Sequence, residues 1–133
     1  MRCLIVDDDR ELRALLRIYV EDAGCEVVAE AGDGAEGIRL YRYHLPDLTL
    51  MDLMMPEKNG IEAIEAIKAT HPDAYVVMLT SVNDLFDITA GFAVGADGYL
   101  RKGMVDLHDQ LLKAIAERRK LLALAAAKPP AGH

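Results

Sequence analysis

The sequence predicts an α/β fold in which one parallel sheet of five strands carries helices on both faces. Short apolar segments rich in branched residues alternate along the chain with longer segments in which apolar residues recur every three or four positions. Glycine or proline stands near most junctions between these segments. With 133 residues, the chain has the usual size of a single domain.

The first half of the chain is predicted to form three strands and two helices. The strands are residues 3–6, 26–31 and 48–52, which are short and contain Val, Ile or Leu. The first helix, which ends at Gly24, carries its apolar residues on one face: Leu12, Leu15, Leu16, Tyr19, Val20 and Ala23. The second helix is expected at residues 35–43.

The second half is predicted to add three helices and two strands. A loop at residues 54–60 leads into a helix that buries Ile61, Ile64 and Ile67 and ends before Pro72. Strands at residues 75–79 and 99–100 flank a weakly periodic helix at residues 83–92. The last helix, expected to reach Ala127, carries the apolar residues Leu107, Leu111, Leu112, Ile115 and Leu122.

Alternation of this kind predicts a single doubly wound (βα)5 domain, because parallel strands need crossover helices that cover both faces of the sheet. One topology that satisfies these rules is the flavodoxin-like strand order 2-1-3-4-5, in which ligands bind beyond the carboxyl ends of strands 1 and 3. We expect residues 1–120 to form this domain. Residues 121–133 are expected to form a helix extension followed by a linker or tail.

Composition argues against several classes of function. The formal net charge of −7 disfavours direct nucleic-acid binding by this chain. No apolar stretch approaches the ~20 residues that cross a bilayer, and the N-terminus has no secretory signal pattern, so we expect no membrane partner and a cytoplasmic location. Cys3 and Cys25 lack metal-ligand or CxxC spacing and are expected to be small core residues.

Polar side chains gather at one edge of the predicted sheet. Asp7 and Asp8 follow the first strand, Asp52 ends the third, Thr80 ends the fourth, and Lys102 lies just beyond the fifth. Because the carboxyl ends of parallel strands share an edge, these residues are predicted to converge. Massed carboxylates repel one another unless a cation holds them together, and hard oxygen ligands suit Mg²⁺.

This combination of groups suggests phosphoryl transfer to a carboxylate. Asp52 is the best nucleophile, since it stands alone at its strand end while Asp7 and Asp8 form a pair suited to metal binding. Lys102 would pair with one phosphoryl oxygen, and Thr80 would donate a hydrogen bond to another. Asp9 has a simpler expected role at the start of the first helix.

With these motifs in place, the chain resembles the receiver domain of bacterial two-component response regulators, a family that includes the chemotaxis response regulator. The matching segments are LIVDD at residues 4–8, MDLMMP at 51–56 with NG at 59–60, LTS at 79–81 and GADGYLRK at 95–102. The resemblance covers about residues 1–115. It implies a phosphorelay protein that switches partner binding and is not a turnover enzyme.

The resemblance also implies roles for individual residues. Asp52 corresponds to the aspartate phosphorylated by a sensor histidine kinase or phosphotransfer protein. Asp7 and Asp8 correspond to the acidic pair that binds Mg²⁺ together with Asp52 and the backbone carbonyl of Met54. Lys102 corresponds to the lysine that pairs with the phosphoryl group.

A switch is implied as well. Thr80 corresponds to the switch hydroxyl, and Tyr99 to an aromatic residue whose rotamer follows the phosphorylation state. The output surface would be formed by helix 4, strand 5 and helix 5, read by a downstream protein or a lost effector domain. A homodimer through the same face is an alternative.

Two positions depart from the pattern of this family. Gly103 stands where a proline in a cis peptide is usual, and a non-proline cis bond costs about 2.5–4 kcal/mol. We therefore expect a trans bond, a looser loop and a less firmly placed Lys102. Met54 and Val82 are apolar where the family controls water access, which predicts slow self-hydrolysis of the phosphoryl group.

Three other functions compete with this prediction. A haloacid dehalogenase-type phosphatase also uses an aspartate nucleophile and Mg²⁺, but it would want an acid where Met54 stands. A flavodoxin-like FMN carrier must cradle a phosphate in its first loop, where three consecutive aspartates would repel it. The third alternative is a receiver-like scaffold that is never phosphorylated, against which the intact acidic residues argue.

Overall fold

The computed structural model describes residues 1–55, 59–81, 85–103 and 105–127, and strands and helices alternate along them. The strands are β1 (Arg2–Val6), β2 (Glu26–Ala31), β3 (Leu48–Asp52), β4 (Val76–Thr80) and β5 (Gly98–Arg101). The helices are α1 (Arg10–Asp22), α2 (Gly34–His44), α3 (Gly60–Thr70), α4 (Leu85–Ala93) and α5 (Leu107–Ala127).

The five strands form one sheet in the order β2-β1-β3-β4-β5, and every neighbouring pair is parallel. This confirms the predicted flavodoxin-like topology. Asp52 pairs with Leu79, and Thr80 pairs with Arg101, so the last residues of the strands lie in one row. The residues that follow β1, β3 and β5 are therefore brought to the same edge.

Two apolar layers cover the sheet, because successive side chains of a strand point to opposite faces. In β1, Leu4 and Val6 pack into the layer that contains α2, α3 and α4, whereas Cys3 and Ile5 pack against α1 and α5. Cys3 and Cys25 are both buried free thiols in this second layer, as their spacing predicted.

Helix boundaries follow capping residues that can be read in the sequence. Asp9 caps α1, with its Oδ1 accepting hydrogen bonds from the backbone N–H groups of Glu11 and Leu12 at 3.0 and 3.2 Å. Asn59 accepts from the N–H of Glu62 at the start of α3. Gly24 follows α1 with φ +83°, a conformation that glycine adopts without strain.

Several predicted boundaries and burials differ from the structure. β4 begins and ends one residue later than expected, and β5 is longer by one residue at each end. Leu15 and Leu112 were expected on packed helix faces but are 38% and 39% exposed, because they lie at the margins of their apolar stripes. α4 begins at Leu85; its predicted first residues, 83 and 84, lie outside the described residues, as do the tail 128–133 and part of the loop at 54–60.

No helix among the described residues is both long and apolar enough to span a bilayer.

Candidate functional site

Three carboxylates meet at the carboxyl edge of the sheet. Asp7, Asp8 and Asp52 each offer one oxygen atom, and these oxygens lie within 4.8 Å of one another. Asp7 and Asp52 are buried, whereas Asp8 is exposed. The structure thus brings together the acidic residues that the sequence analysis predicted would converge.

Asp7 is held by its own backbone and by the turn that follows it. Its N–H donates to the carbonyl of Ala31 at 3.0 Å, which continues the pairing between β1 and β2. Its Oδ1 accepts a hydrogen bond from the N–H of Asp9 at 2.8 Å. One carboxylate oxygen is therefore fixed by the backbone, and Oδ2 is left to face the site.

An ion-pair network of α1 and β2 contacts the backbone of Asp7. Arg13 Nη1 donates to the carbonyl oxygen of Asp7 at 2.5 Å, and its Nε contacts Glu30 Oε1 at 3.2 Å. The other oxygen of Glu30 accepts from Arg17 Nε at 2.7 Å. Sequence reasoning missed Arg13 and Glu30; the available signal was two arginines four residues apart on α1, with an acidic residue in the neighbouring strand.

Asp52 ends β3 and is positioned by close packing of the following segment. Its Oδ1 accepts a hydrogen bond from the N–H of Met54 at 3.2 Å. Gly60 donates to the carbonyl of Leu53 at 3.1 Å, and a Cβ on Gly60 would lie 2.0 Å from the backbone oxygen of Asp52. Only glycine lets the start of α3 approach the site this closely.

Lys102 connects the two buried carboxylates. Its Nζ lies 2.7 Å from Asp7 Oδ2 and 3.1 Å from Asp52 Oδ1, and its side chain is largely buried. Among the described residues Asp7 Oδ2 accepts no well-directed hydrogen bond, so this short contact is a charge contact with poor hydrogen-bond angles. The Lys102–Gly103 peptide is trans, as expected. The looser loop and the less firmly placed lysine stay predictions.

Burial and charge shift the ionisation of both partners. Burial raises the pKa of Asp52 from 3.8 to about 6, and the nearby negative charge of Asp7 adds to this shift, while Lys102 and the Met54 N–H oppose it. Burial by itself would lower the pKa of Lys102, but its close contacts with the negative charges of Asp7 and Asp52 outweigh this effect and raise the pKa above its usual range. The carboxylates of Asp7 and Asp52 therefore repel each other, and the ammonium group of Lys102 offsets this repulsion only in part.

Thr80 lies at the same edge with its hydroxyl directed to the neighbouring strand. Thr80 is buried, and its Oγ1 donates to the carbonyl of Leu100 in β5 at 3.3 Å. Tyr99, the next residue back along β5, is 39% exposed and packs edge-on against Phe92, with ring centroids 6.2 Å apart. Tyr99 thus lies on the α4–β5 surface, away from the carboxylates that Lys102 contacts.

The two positions expected to control water access are only partly described. The Met54 side chain is 67% exposed beside the acidic cluster, although its backbone N–H contacts Asp52. Val82, the second position, lies outside the described residues. Slow self-hydrolysis stays a prediction.

Residues 3–116 match the family model of the response regulator receiver domain. The chain belongs to this receiver family. Phosphorylation of an aspartate is the general function of the family, whose members are phosphoacceptor switches and generally not turnover enzymes. The family match favours the receiver over the phosphatase and the FMN carrier.

Individual relatives and solved structures agree with this assignment. The chain is 38% identical over 99 residues to the chemotaxis protein CheY of Halobacterium salinarum, covering 74% of this chain and 82% of that protein. It is 42% identical over 105 residues to the transcriptional regulatory protein CpxR of Escherichia coli, covering 79% of this chain but only 44% of CpxR. A two-component response regulator of the LuxR family from Aurantimonas sp. matches with a TM-score of 0.81 at 35% identity, covering 87% of this chain and 82% of that one.

Receiver domains bind Mg²⁺ at an acidic pocket, and the residues of this receiver fit that ion. The donors are carboxylate oxygens, which are the ligands that Mg²⁺ prefers. Three carboxylates and one ammonium leave two formal negative charges in the cluster, which a divalent cation would neutralise. The buried Oδ2 of Asp7, which lacks a well-directed hydrogen bond, is available as a ligand atom.

Proposed function

We propose that Asp52 accepts the phosphoryl group in this receiver, from the phosphohistidine of a sensor histidine kinase or a phosphotransfer protein. The observation that carries this proposal is the contact of one ammonium, Lys102, with two of three clustered carboxylates, Asp7 and Asp52. Asp7, Asp8, Asp52 and the backbone carbonyl of Met54 would hold Mg²⁺. When bound, the ion would draw a phosphoryl oxygen into the site and offset its charge.

The chemistry asks little of the protein beyond positioning and charge. One carboxylate oxygen of Asp52 attacks phosphorus as the bond from phosphorus to the donor breaks, leaving an aspartyl phosphate. Asp52 reacts as the carboxylate. Because its pKa is raised to about 6, the side chain has to lose its proton before it attacks. Lys102 already contacts the carboxylate of Asp52, so its ammonium group can pair with a phosphoryl oxygen once the group is transferred.

The switch would begin at the Thr80 hydroxyl. Phosphorylation adds about −1.5 to −2 charges and new acceptor oxygens beside β4. If Thr80 Oγ1 turns toward them, it gives up its bond to the carbonyl of Leu100, the residue next to Tyr99. Movement of Tyr99 would then alter the surface formed by α4, β5 and α5, shifting the population of states that a partner reads.

That surface is our proposed output site. Its occupant is a downstream protein, an effector domain attached in a longer protein, or a second copy of this chain. We also propose residues 1–120 as the receiver proper, with the remainder of α5 as an extension that ends at Ala127.

The central proposal is tested by incubating the protein with Mg²⁺ and acetyl phosphate and measuring the intact mass. We expect a gain of one phosphoryl group that is stable in acid and labile in base. Asp52→Asn should abolish the gain. Asp9→Asn is the matched control, because it removes a nearby carboxylate while keeping a side chain that caps α1. Equal phosphorylation of wild type and Asp52→Asn would contradict the proposal.

A further inference from the structure

The end of strand β5 is held by a side chain from helix α5. Gln110 Oε1 accepts a hydrogen bond from the N–H of Arg101 at 3.0 Å, and Gln110 Nε2 donates to the carbonyl of Arg101 at 3.3 Å. β5 is the edge strand of the sheet, and alternate residues of a parallel strand direct their backbone groups away from the paired neighbour. One amide side chain therefore satisfies both outward groups of the last residue of β5.

The orientation of this amide is fixed by its partners. A backbone N–H can only donate and a backbone carbonyl can only accept, so the oxygen and nitrogen of Gln110 have one consistent assignment. Nε2 also donates to Asp106 Oδ1 at 3.0 Å, just before α5 begins. Through these three hydrogen bonds, the start of α5 is tied to Arg101.

Lys102 is the next residue, and its backbone depends on this anchor. Its N–H donates to the carbonyl of Thr80 at 2.7 Å, which is the last rung between β4 and β5. Gly103 follows with φ +73°, and a Cβ at that position would meet no atom of the described residues within 4 Å. The residue immediately after the lysine thus has no side chain to fix it, whereas the residue before the lysine is held on both backbone groups.

We propose that Gln110 is a positioning residue for Lys102. By clamping Arg101 it sets the backbone from which the Lys102 side chain reaches Asp7 and Asp52, although Gln110 itself touches none of the reacting groups. The inference rests on the proposed function in one respect: the effect of Gln110 on chemistry is transmitted through the lysine that assists phosphorylation of Asp52.

Amide hydrogen exchange tests the clamp without any phosphorylation. In Gln110→Ala, the amide of Lys102 should exchange about tenfold faster, while the amide of Leu4 in the central strand β1 keeps its rate. Lys113→Ala, an exposed substitution one turn further along α5, is the matched control and should change neither rate. An unchanged rate at Lys102, or an equal acceleration at Leu4 from general destabilisation, overturns the proposal.

A double-mutant cycle tests the link to chemistry. With Lys102 present, Gln110→Ala should slow phosphorylation by acetyl phosphate about tenfold, since small misplacement of an assisting group has large rate effects. In a Lys102→Ala background, Gln110→Ala should leave the residual rate unchanged. Equal slowing in both backgrounds overturns the proposal. If the wild type is not phosphorylated at all, the proposed function fails, and the exchange experiment still decides the role of Gln110.

Discussion

Replacing Asp52 by asparagine should stabilise the metal-free protein near neutral pH, although it removes the proposed phosphoacceptor. Asp52 is buried beside Asp7. Its ionisation in the folded state therefore costs free energy, because the charge loses its hydration and is repelled by Asp7. Asparagine has nearly the same shape and keeps an oxygen that can accept the hydrogen bond from Met54. It carries no charge to be desolvated or repelled.

The size of this effect follows from the pKa. A rise from 3.8 to about 6 corresponds to about 3 kcal/mol, since each pKa unit is worth about 1.4 kcal/mol. Because the folded-state pKa is raised, the contribution of Asp52 to stability is greatest below the unfolded pKa and is lost as the pH rises through about 6. This figure already includes the attraction of Lys102, which opposes the rise of the pKa. In the variant Lys102 keeps Asp7 as a buried partner, so we expect a net gain of about 1–3 kcal/mol near pH 7.

Urea unfolding in EDTA, followed by circular dichroism at about pH 7.5 and about pH 4.5, measures this gain. The unfolding free energy of the variant should exceed that of wild type by about 1–3 kcal/mol at the higher pH, which appears as a higher midpoint concentration of urea. Its advantage should shrink at the lower pH, where wild-type Asp52 binds a proton. Asp9→Asn serves as the control, because it makes the same replacement at an exposed side chain and should not raise stability at the higher pH. A variant less stable than wild type in EDTA, or an advantage equal at both pH values, would refute the reasoning.

Four other outcomes follow from the site. Mg²⁺ should raise the wild-type melting temperature by binding the folded state. The Asp8→Asn variant should need about ten times more Mg²⁺ for the same rise, measured by following the melting temperature as Mg²⁺ is added. Gly60→Ala should destabilise the protein by about 3 kcal/mol or more in urea unfolding, because its Cβ would strike backbone, whereas Gly98→Ala, whose Cβ has ordinary contacts, should cost about 1 kcal/mol or less. Thr80→Ala should still be phosphorylated but should not alter partner binding, and equal binding by the phosphorylated wild type and variant would contradict the switch. Phosphorylated wild type should keep its phosphoryl group for far longer than seconds, and Met54→Asn should shorten that lifetime roughly fivefold, followed by intact mass against time.

The carboxyl edge was predictable because two short-range patterns place it. Strand segments of branched residues fix where each strand ends, and β–α alternation fixes that those ends share an edge. Asp7 and Asp52 needed no further information to be brought together. Lys102 needed only the expectation that the fifth strand lies beside the fourth.

Contacts between polar side chains of different elements were not predictable in the same way. Arg13 and Gln110 look like solvated helix residues in the sequence, since nothing local indicates that a backbone carbonyl of another element lies within reach. The direction of the Thr80 hydroxyl is set by the strand beside it, not by its own segment. Such contacts depend on distances of a few ångströms between elements, which residue periodicity does not encode.

The central strands β1 and β3 contribute side chains to both apolar layers. Unfolding of one layer would therefore also expose side chains of the strands that support the other. The domain should consequently melt as one cooperative unit. Binding of a metal ion at the carboxyl edge of the sheet should then shift the melting transition of the whole domain, including helices that do not contact the ion. A simple thermal shift is accordingly a sensitive screen for divalent metals and for phosphoryl mimics such as beryllofluoride.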